Sequence, residues 1–427
     1  MIRVPKDLFV RQLLPFLDST SHFRLLRVNV GIRHNVSQFG TPSAVIPTVQ
    51  RGLSAMREIR NVKLVVDRPE FTFSNDDFKV LPSLTSLTLD LSFKPRANSL
   101  RDGLSTLVNL TFLHIQGRGN YFRAHTLSLL TNLITLSESC CTGITDDVVG
   151  RLPSLRGLEI FKRSHFGICA VYGNCFSSLG QLTSLKIHDS LIVPDCKMNH
   201  LTNIETLVAV IATVRGLALP SGPNDATLSQ FIKLRTLSLN LSSCGSNPIS
   251  DDSVSRLVNL TELNITVCQG ISDQSLILLK NLRVLRLAHC SLITDKSISE
   301  LVSLVSLELD AMNVRGSCFK SLSNLRELSV SNGERPFSNE IKCLTGLERL
   351  EIGQYQPISG PQIKCLVNLV SLTIWCATRG PRLNLTVVLH ELKKLKKVDI
   401  ASYSRSLEWE TYFKNRDVEF VEKIVSD

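Results

Sequence analysis

An apolar pattern, L-x-x-L-x-x-L-x-L with Ile, Val, Phe or Met as occasional substitutes, recurs along most of this chain of 427 residues. Its copies begin at Met56, Leu81, Leu107, Leu130, Leu152, Leu179, Leu201, Phe231, Leu257, Leu279, Leu301, Leu322, Leu344, Leu366 and Leu392. The steps between them are 25, 26, 23, 22, 27, 22, 30, 26, 22, 22, 21, 22, 22 and 26 residues. A unit this short cannot bury both of its sides, so each copy must stack on its neighbours and share a continuous core. Length alone suggests about three domains; the repeat replaces them with one stacked domain over residues 46–427, behind a segment of different grammar at 1–45.

Residues 257–278 show how one unit is built. Leu260, Leu263 and Ile265 point to the core, and Glu262-Leu263-Asn264-Ile265-Thr266 alternates with period two. That alternation predicts a short strand with Glu262, Asn264 and Thr266 on its far face. Cys268 begins the turn away. Ser272 followed by Asp273 reads as a helix N-cap with an acid in the first turn, and a short helix from Gln274 to Leu279 returns the chain. The same cap recurs as Thr145-Asp146, Ser250-Asp251 and Thr294-Asp295.

A period of about 20 to 29 residues with this leucine grammar resembles the leucine-rich repeat. The resemblance implies an α/β solenoid, a horseshoe of about 15 repeats whose strands line the inner, concave curve. The strings CTGITDDVV, NPISDDSV, CQGISDQSL and CSLITDKSI look like cysteine-containing leucine-rich repeats, a subtype familiar from F-box proteins. The L-x-x-L-x-L-x-x-C match is complete at Cys268 and Cys290; Cys141 fits in part, since Glu138 stands where an apolar residue is expected. The longest gaps, at about 161–178, 210–230 and 240–256, are expected to be loops on one edge of the array.

The N-terminal segment, VPKDLFVRQLLPFLD followed by HFRLLRVNVGIRHNV, resembles an F-box: a Val-Pro start, a leucine-rich helix, a Ser-Thr-Ser break and an R-L-x-x-V helix around Arg24 to Val28. The resemblance implies that Pro5, Leu8, Phe9, Leu13, Leu17, Leu25 and Val28 dock an SCF-type adaptor, and through it a cullin. It departs from the family at Ile32, where tryptophan is usual, and at Pro15, which interrupts the first helix. The alternative is a helical cap over the open end of the first repeat, which every solenoid needs.

Composition narrows the function classes. The chain's 12 cysteines are scattered without a C-x-x-C pair, and with no export signal recognisable in MIRVPKDLFVRQLLPFLD the expectation is free buried thiols in the cytoplasm, or the nucleus, of a protein that is not secreted. No apolar run is long enough to cross a bilayer. The formal charge of +10 is mild, and its densest cluster, Lys393, Lys394, Lys396 and Lys397, reads as a solvated face, so neither nucleic acid nor membrane is expected as a partner. Sequons such as Asn109 and Asn259 are by-products of a recurring L-x-N-L step, seen also at Asn132, Asn203, Asn281, Asn324 and Asn368.

No phosphate loop, dinucleotide fingerprint or hydrolase motif occurs. His165, Cys169, Cys175 and His188 lack the close pairing of zinc ligands. The expectation is a protein without enzymatic activity, metal or cofactor, which binds another protein on its concave face.

Register predicts that face. The residue between the last two apolar positions of each unit includes His114, Ser137, Glu159, Lys186, Arg286, Glu308 and Glu351, flanked by Phe112, Phe161, His188, Arg349 and Trp375. Of these, Phe112, His114, Phe161, Lys186, His188, Arg286, Glu308, Arg349, Glu351 and Trp375 are the candidate contacts, because aromatics and arginines anchor protein interfaces. Mixed charge along the column favours a protein over a polyanion. Two readings result: the substrate-recognition subunit of an SCF-type ubiquitin ligase, or a cytosolic scaffold with no ligase link. A bacterial internalin-type surface protein has similar repeats but calls for an export signal.

Overall fold

The computed structural model describes residues 60–65, 78, 81–91, 102–119, 122–141, 144–161, 171–188, 195–212, 223–243, 249–310, 312–331, 339–353, 360–375, 391–402 and 418–424. The F-box-like segment at 1–45, and with it Pro5, Leu8, Phe9, Leu13, Leu17, Leu25 and Val28, lies outside these residues, as do His165, Cys169 and the middles of the long gaps. The chain divides into two compact units, one up to Ile204 and one from Glu205 onward.

In the first unit the period-two segments form strands β1 (Asn61–Val65), β2 (Ser86–Leu91), β3 (Phe112–Gly119), β4 (Thr135–Cys141), β5 (Gly157–Phe161) and β6 (Ser184–His188). The second holds β7 (Thr206–Ala212), β8 (Thr236–Ser243), β9 (Glu262–Thr266), β10 (Val284–Ala288), β11 (Ser306–Asp310), β12 (Glu327–Ser331), β13 (Arg349–Ile352), β14 (Ser371–Trp375), β15 (Lys397–Ser402) and β16 (Glu419–Ile424). Within each unit every strand pairs in parallel with its sequence neighbour. Parallel neighbours need a crossover between them, and here it is a turn of α- or 3-10 helix only four to six residues long.

The leucine grammar is the core. Leu260, Leu263 and Ile265 are at most 1% exposed, and so are their equivalents Leu282, Leu285, Leu304 and Leu307. Each such side chain contributes about 1.5–3 kcal/mol by leaving water. Phe176, Phe231 and Phe319 are also fully buried. Glu138 breaks the rule. It sits in register with Ile115 and Ile160, and it is as buried as they are.

The helix expected over Gln274–Leu279 is Asp273–Leu276 instead. The Leu279 amide bonds to the Leu276 carbonyl, and the Leu282 amide bonds to that of Leu279. The last apolar residue of the expected helix therefore already belongs to the turn that leads into the next strand.

Two side-chain ladders hold successive units in register. The first uses the L-x-N-L asparagines. The side-chain amide of Asn259 donates to the Ile232 carbonyl at 2.9 Å, Asn281 to Val258 at 3.0 Å and Asn324 to Val302 at 3.0 Å. In the first unit Asn109, Asn132 and Asn203 donate to Pro82, Val108 and Gly180 at 3.0, 2.9 and 2.7 Å. A strand entry has carbonyls without a ladder partner, and these amides satisfy them.

The second ladder uses the cap acids. Ser272 does cap its own helix, accepting from the Gln274 amide at 3.1 Å. The acid beside it, however, serves the next unit. Asp273 accepts from the Thr294 amide at 2.9 Å, the Thr294 hydroxyl at 2.7 Å and the Ser297 hydroxyl at 2.5 Å. Asp251 accepts in the same way from Ser272 and Ser275, and Asp225 from Ser250 and Ser253. Burial works against the charge at Asp251 and Asp273, but these hydrogen bonds outweigh it and hold both carboxyls below the usual aspartate range.

Where the hydroxyls stop, a second device replaces them. Gly173-Asn174-Cys175-Phe176 and Gly316-Ser317-Cys318-Phe319 each open a 3-10 helix on a left-handed glycine, at φ 83° and 89°. A side chain is disfavoured at that φ, and so glycine is needed there. Asp146 accepts the Tyr172 and Cys175 amides at 2.9 and 3.3 Å, and Asp295 accepts those of Arg315, Gly316 and Cys318 at 2.7, 2.9 and 3.0 Å.

Candidate functional site

The solvent face of the strands carries the polar column in the predicted register. In the first unit β3 to β6 set His114 beside Ser137, Ser137 beside Glu159 and Glu159 beside Lys186. The Ser137 hydroxyl donates to Glu159 Oε2 at 3.0 Å, and His114 Nδ1 lies 2.8 Å from the same oxygen of Ser137. A serine has one proton to give. With that proton on Glu159, His114 is the donor to Ser137. Glu159 Oε1 lies 3.4 Å from His188 Nε2 and 3.9 Å from Lys186 Nζ, and the His188 ring stacks on Phe161 with centroids 4.0 Å apart.

This chain of groups joins four candidate contacts, His114, Lys186, His188 and Phe161, through Ser137 and Glu159. Ser137 is only 3% exposed. In a hydrolytic triad the histidine stands between serine and acid; here the serine stands between histidine and acid, its proton directed at the carboxylate. Phe112 is one row away, opposite Ser86 and Thr135.

The second unit builds its face from ion pairs. Arg286 bridges two strands, reaching Glu262 at 2.7 Å and Glu308 at 3.4 Å. Arg349 pairs with Glu327, and Lys397 with Asp399 at 3.3 Å. Trp375 is 37% exposed while its indole N–H donates to Glu351 Oε1 at 2.9 Å. The indole is therefore fixed by its polar edge with about a third of its surface open to solvent, the form of an interface anchor. Arg286 with Glu308, and Glu351 with Trp375, come together as the column predicted. Glu262 and Glu327 orient the arginines and were not among the candidates, although one strand's alternation already places both on this face.

Cys175, Cys268, Cys290 and Cys318 are free and buried, whereas Cys343 and Cys365 are exposed. Burial, with the nearby Asp146 or Asp295, pushes the thiols of Cys175 and Cys318 up, and burial together with the neighbouring Cys268 pushes Cys290 up to about 12. Among the described residues no cluster of His, Cys, Asp or Glu is arranged to hold a metal ion, and no helix is long and apolar enough to cross a membrane.

Neither a protein-family model nor a curated protein matches this sequence. Solved structures do. The leucine-rich-repeat protein LIC12759 of Leptospira interrogans aligns over 80% of this chain and 90% of its own, with a TM-score of 0.50 at 17% identity. This chain has the leucine-rich-repeat fold. The leucine-rich-repeat chain is also similar to internalin InlF of Listeria monocytogenes, over 88% of this chain and 89% of that one at 16% identity and a TM-score of 0.40. A structure of the Rad7 and Elc1 complex from yeast aligns over 67% of this chain and 82% of its own, at 17% identity and a TM-score of 0.40. In this leucine-rich-repeat protein the strand face is the surface on which side chains vary from repeat to repeat in size and charge.

Proposed function

We propose that this protein binds another protein on the solvent face of its strands and performs no chemistry itself. The observation that carries this reading is Trp375, held by Glu351 with its ring partly exposed, together with the pre-oriented Arg286 and Arg349 on the same face. Fixing such side chains before contact reduces the ordering cost of association. The F-box-like motif at residues 5–28 and the complete cysteine-repeat matches at Cys268 and Cys290 support a finer reading. In that reading residues 1–45 engage an SCF-type adaptor on a cullin ubiquitin ligase in the cytoplasm or nucleus, and the strand face presents a substrate. Its contribution would be effective concentration. Ile32 in place of the family's tryptophan favours the second reading, a scaffold whose first 45 residues only cap the array.

Co-purification from a eukaryotic lysate separates the two. Full-length protein should retain adaptor and cullin, and a version lacking residues 1–45 should lose both while keeping its remaining partners. Absence of adaptor and cullin from both baits would leave the scaffold reading. Loss of the remaining partners on Trp375→Ala is expected under either, and their retention would refute the strand face as the binding surface.

A further inference from the structure

A second surface lies at the edge where the strands of the second unit begin. The residues immediately before β8 to β12 form one row, Arg235, Thr261, Arg283, Val305 and Arg326, tied together by backbone hydrogen bonds. Thr261 and Glu262 donate to the Arg235 carbonyl, Arg283 and Val284 to that of Thr261, Val305 and Ser306 to that of Arg283, and Arg326 to that of Val305. This row and the asparagine ladder line a groove of about 770 Å³ that contains three arginines and no acid.

The arginines differ in how far they are engaged. Arg235 reaches Glu205 only at 4.0 Å; Arg326 lies 3.9 Å from Glu348 and donates to the Ser323 and Leu325 carbonyls. Arg283, exposed between them, has no carboxylate within ion-pair distance among the described residues. A lone guanidinium at the centre of an acid-free groove, on a face bounded by asparagines, is placed to receive an anion.

We propose that this groove binds an extended acidic segment of a partner protein, with a carboxylate on Arg283 and others toward Arg235 and Arg326. Spacing supports it. The arginines stand on alternate strands, so with neighbouring strands about 4.8 Å apart they repeat every ~10 Å. A peptide in the extended polyproline II conformation advances about 3.1 Å per residue with three residues per turn, so acids at every third position share one face and meet this spacing. The asparagines separate a peptide from a polyphosphate. Asn259, Asn281 and Asn324 each spend one amide N–H on the ladder and keep Oδ1 as an acceptor. Peptide N–H groups can use that acceptor, and a phosphate backbone has no donor for it. The groove on the same edge of the first unit has Thr85, Thr111 and Ile134 between Arg60 and Arg156, and so lacks the alternate-strand spacing.

The test is fluorescence anisotropy on the full-length protein with a labelled Gly/Ser peptide carrying Glu at every third position. Comparison probes are a peptide with the same glutamates bunched together and a single-stranded oligonucleotide of equal charge. The spaced peptide should bind most tightly. Arg283→Gln should weaken it about tenfold, the effect of one lost charge-assisted hydrogen-bonded contact, while thermal melting stays that of wild type. Arg235→Gln and Arg326→Gln should have smaller effects in the same direction. No binding of the spaced peptide, an unchanged affinity in Arg283→Gln, or equal or tighter binding of the bunched peptide or the oligonucleotide would each overturn the proposal.

Discussion

The step from Asp251 to the next repeat and the step from Asp146 to the next repeat do the same mechanical job with different chemistry. In the second unit the carboxylate meets two serine hydroxyls and two amides, those of Ser272 and Ser275. In the first unit Asp146 meets backbone amides and Asn174, because the following repeat begins on Gly173 and offers Cys175 in place of the serine hydroxyls that follow Asp251. Repeat length does not set the difference. The hydroxyl form spans steps of 26 residues, from Phe231 to Leu257, and of 22, from Leu257 to Leu279 and on to Leu301, and the glycine form spans the 27-residue step from Leu152 to Leu179. The Asp295 step, in an otherwise regular tract, shows that the glycine itself is the switch, since Gly316 brings the same amide cradle at a step of 21 residues. A short repeat can be stapled by whichever donors its cap supplies, provided an aspartate leads the helix.

The comparison can be broken most severely at the core the two forms share. Leu285→Asp places an unpartnered charge at a position with no exposure; a loss above about 4 kcal/mol, or outright unfolding of the second unit, is expected in urea denaturation. A wild-type midpoint would mean that the leucine column is not the core. Next in size, Asp251→Ala should cost about 2–4 kcal/mol by stranding Ser272 and Ser275. Asp252→Ala, one residue on and exposed, should change stability by less than about 0.5 kcal/mol. Equal effects would reduce both acids to generic helix-dipole partners.

Acid should sharpen the same contrast. The carboxyls of Asp251 and Asp273 lie lower folded than unfolded, so their contribution is complete above the unfolded aspartate value of about 4 and is lost as pH falls through the folded one. Wild type should therefore lose stability below about pH 4 more steeply than Asp251→Asn, measured by thermal melting across that range. Parallel curves would remove the charged ladder. On the strand faces, Ser137→Ala should cost about 1–2 kcal/mol, since it cuts the link between His114 and Glu159 in a buried setting. Ser329→Ala, at the same column position on β12 but half-exposed, should cost close to nothing. Smallest of all, a thiol reagent should label Cys343 and Cys365 in the native protein and spare Cys268 and Cys290, whose reactivity needs unfolding. Labelling of all four at one rate would contradict the burial of the latter pair.

The sequence alone determined the repeat, its strand face and its core, because a period-two apolar alternation inside a 22-residue period leaves one way to bury leucine. It placed Arg286 beside Glu308, and Trp375 next to the column, for the same reason: parallel register turns a sequence column into a surface row. It read Ser272 and Asp273 correctly as the start of a helix, yet assigned the acid to that helix, since capping is a local rule and the true partners, Thr294 and Ser297, are a repeat away. The L-x-N-L step was legible as a recurrence, but the carbonyls its asparagines bind were not, for that reason too. Tertiary structure also decided that Ser137, one of many small residues in the column, is buried between His114 and Glu159, and that Arg283, alone among the arginines of its row, meets no acid among the described residues. Composition and period fix which side chains share a face; which of them satisfy one another depends on distances that exist only once the repeats are stacked.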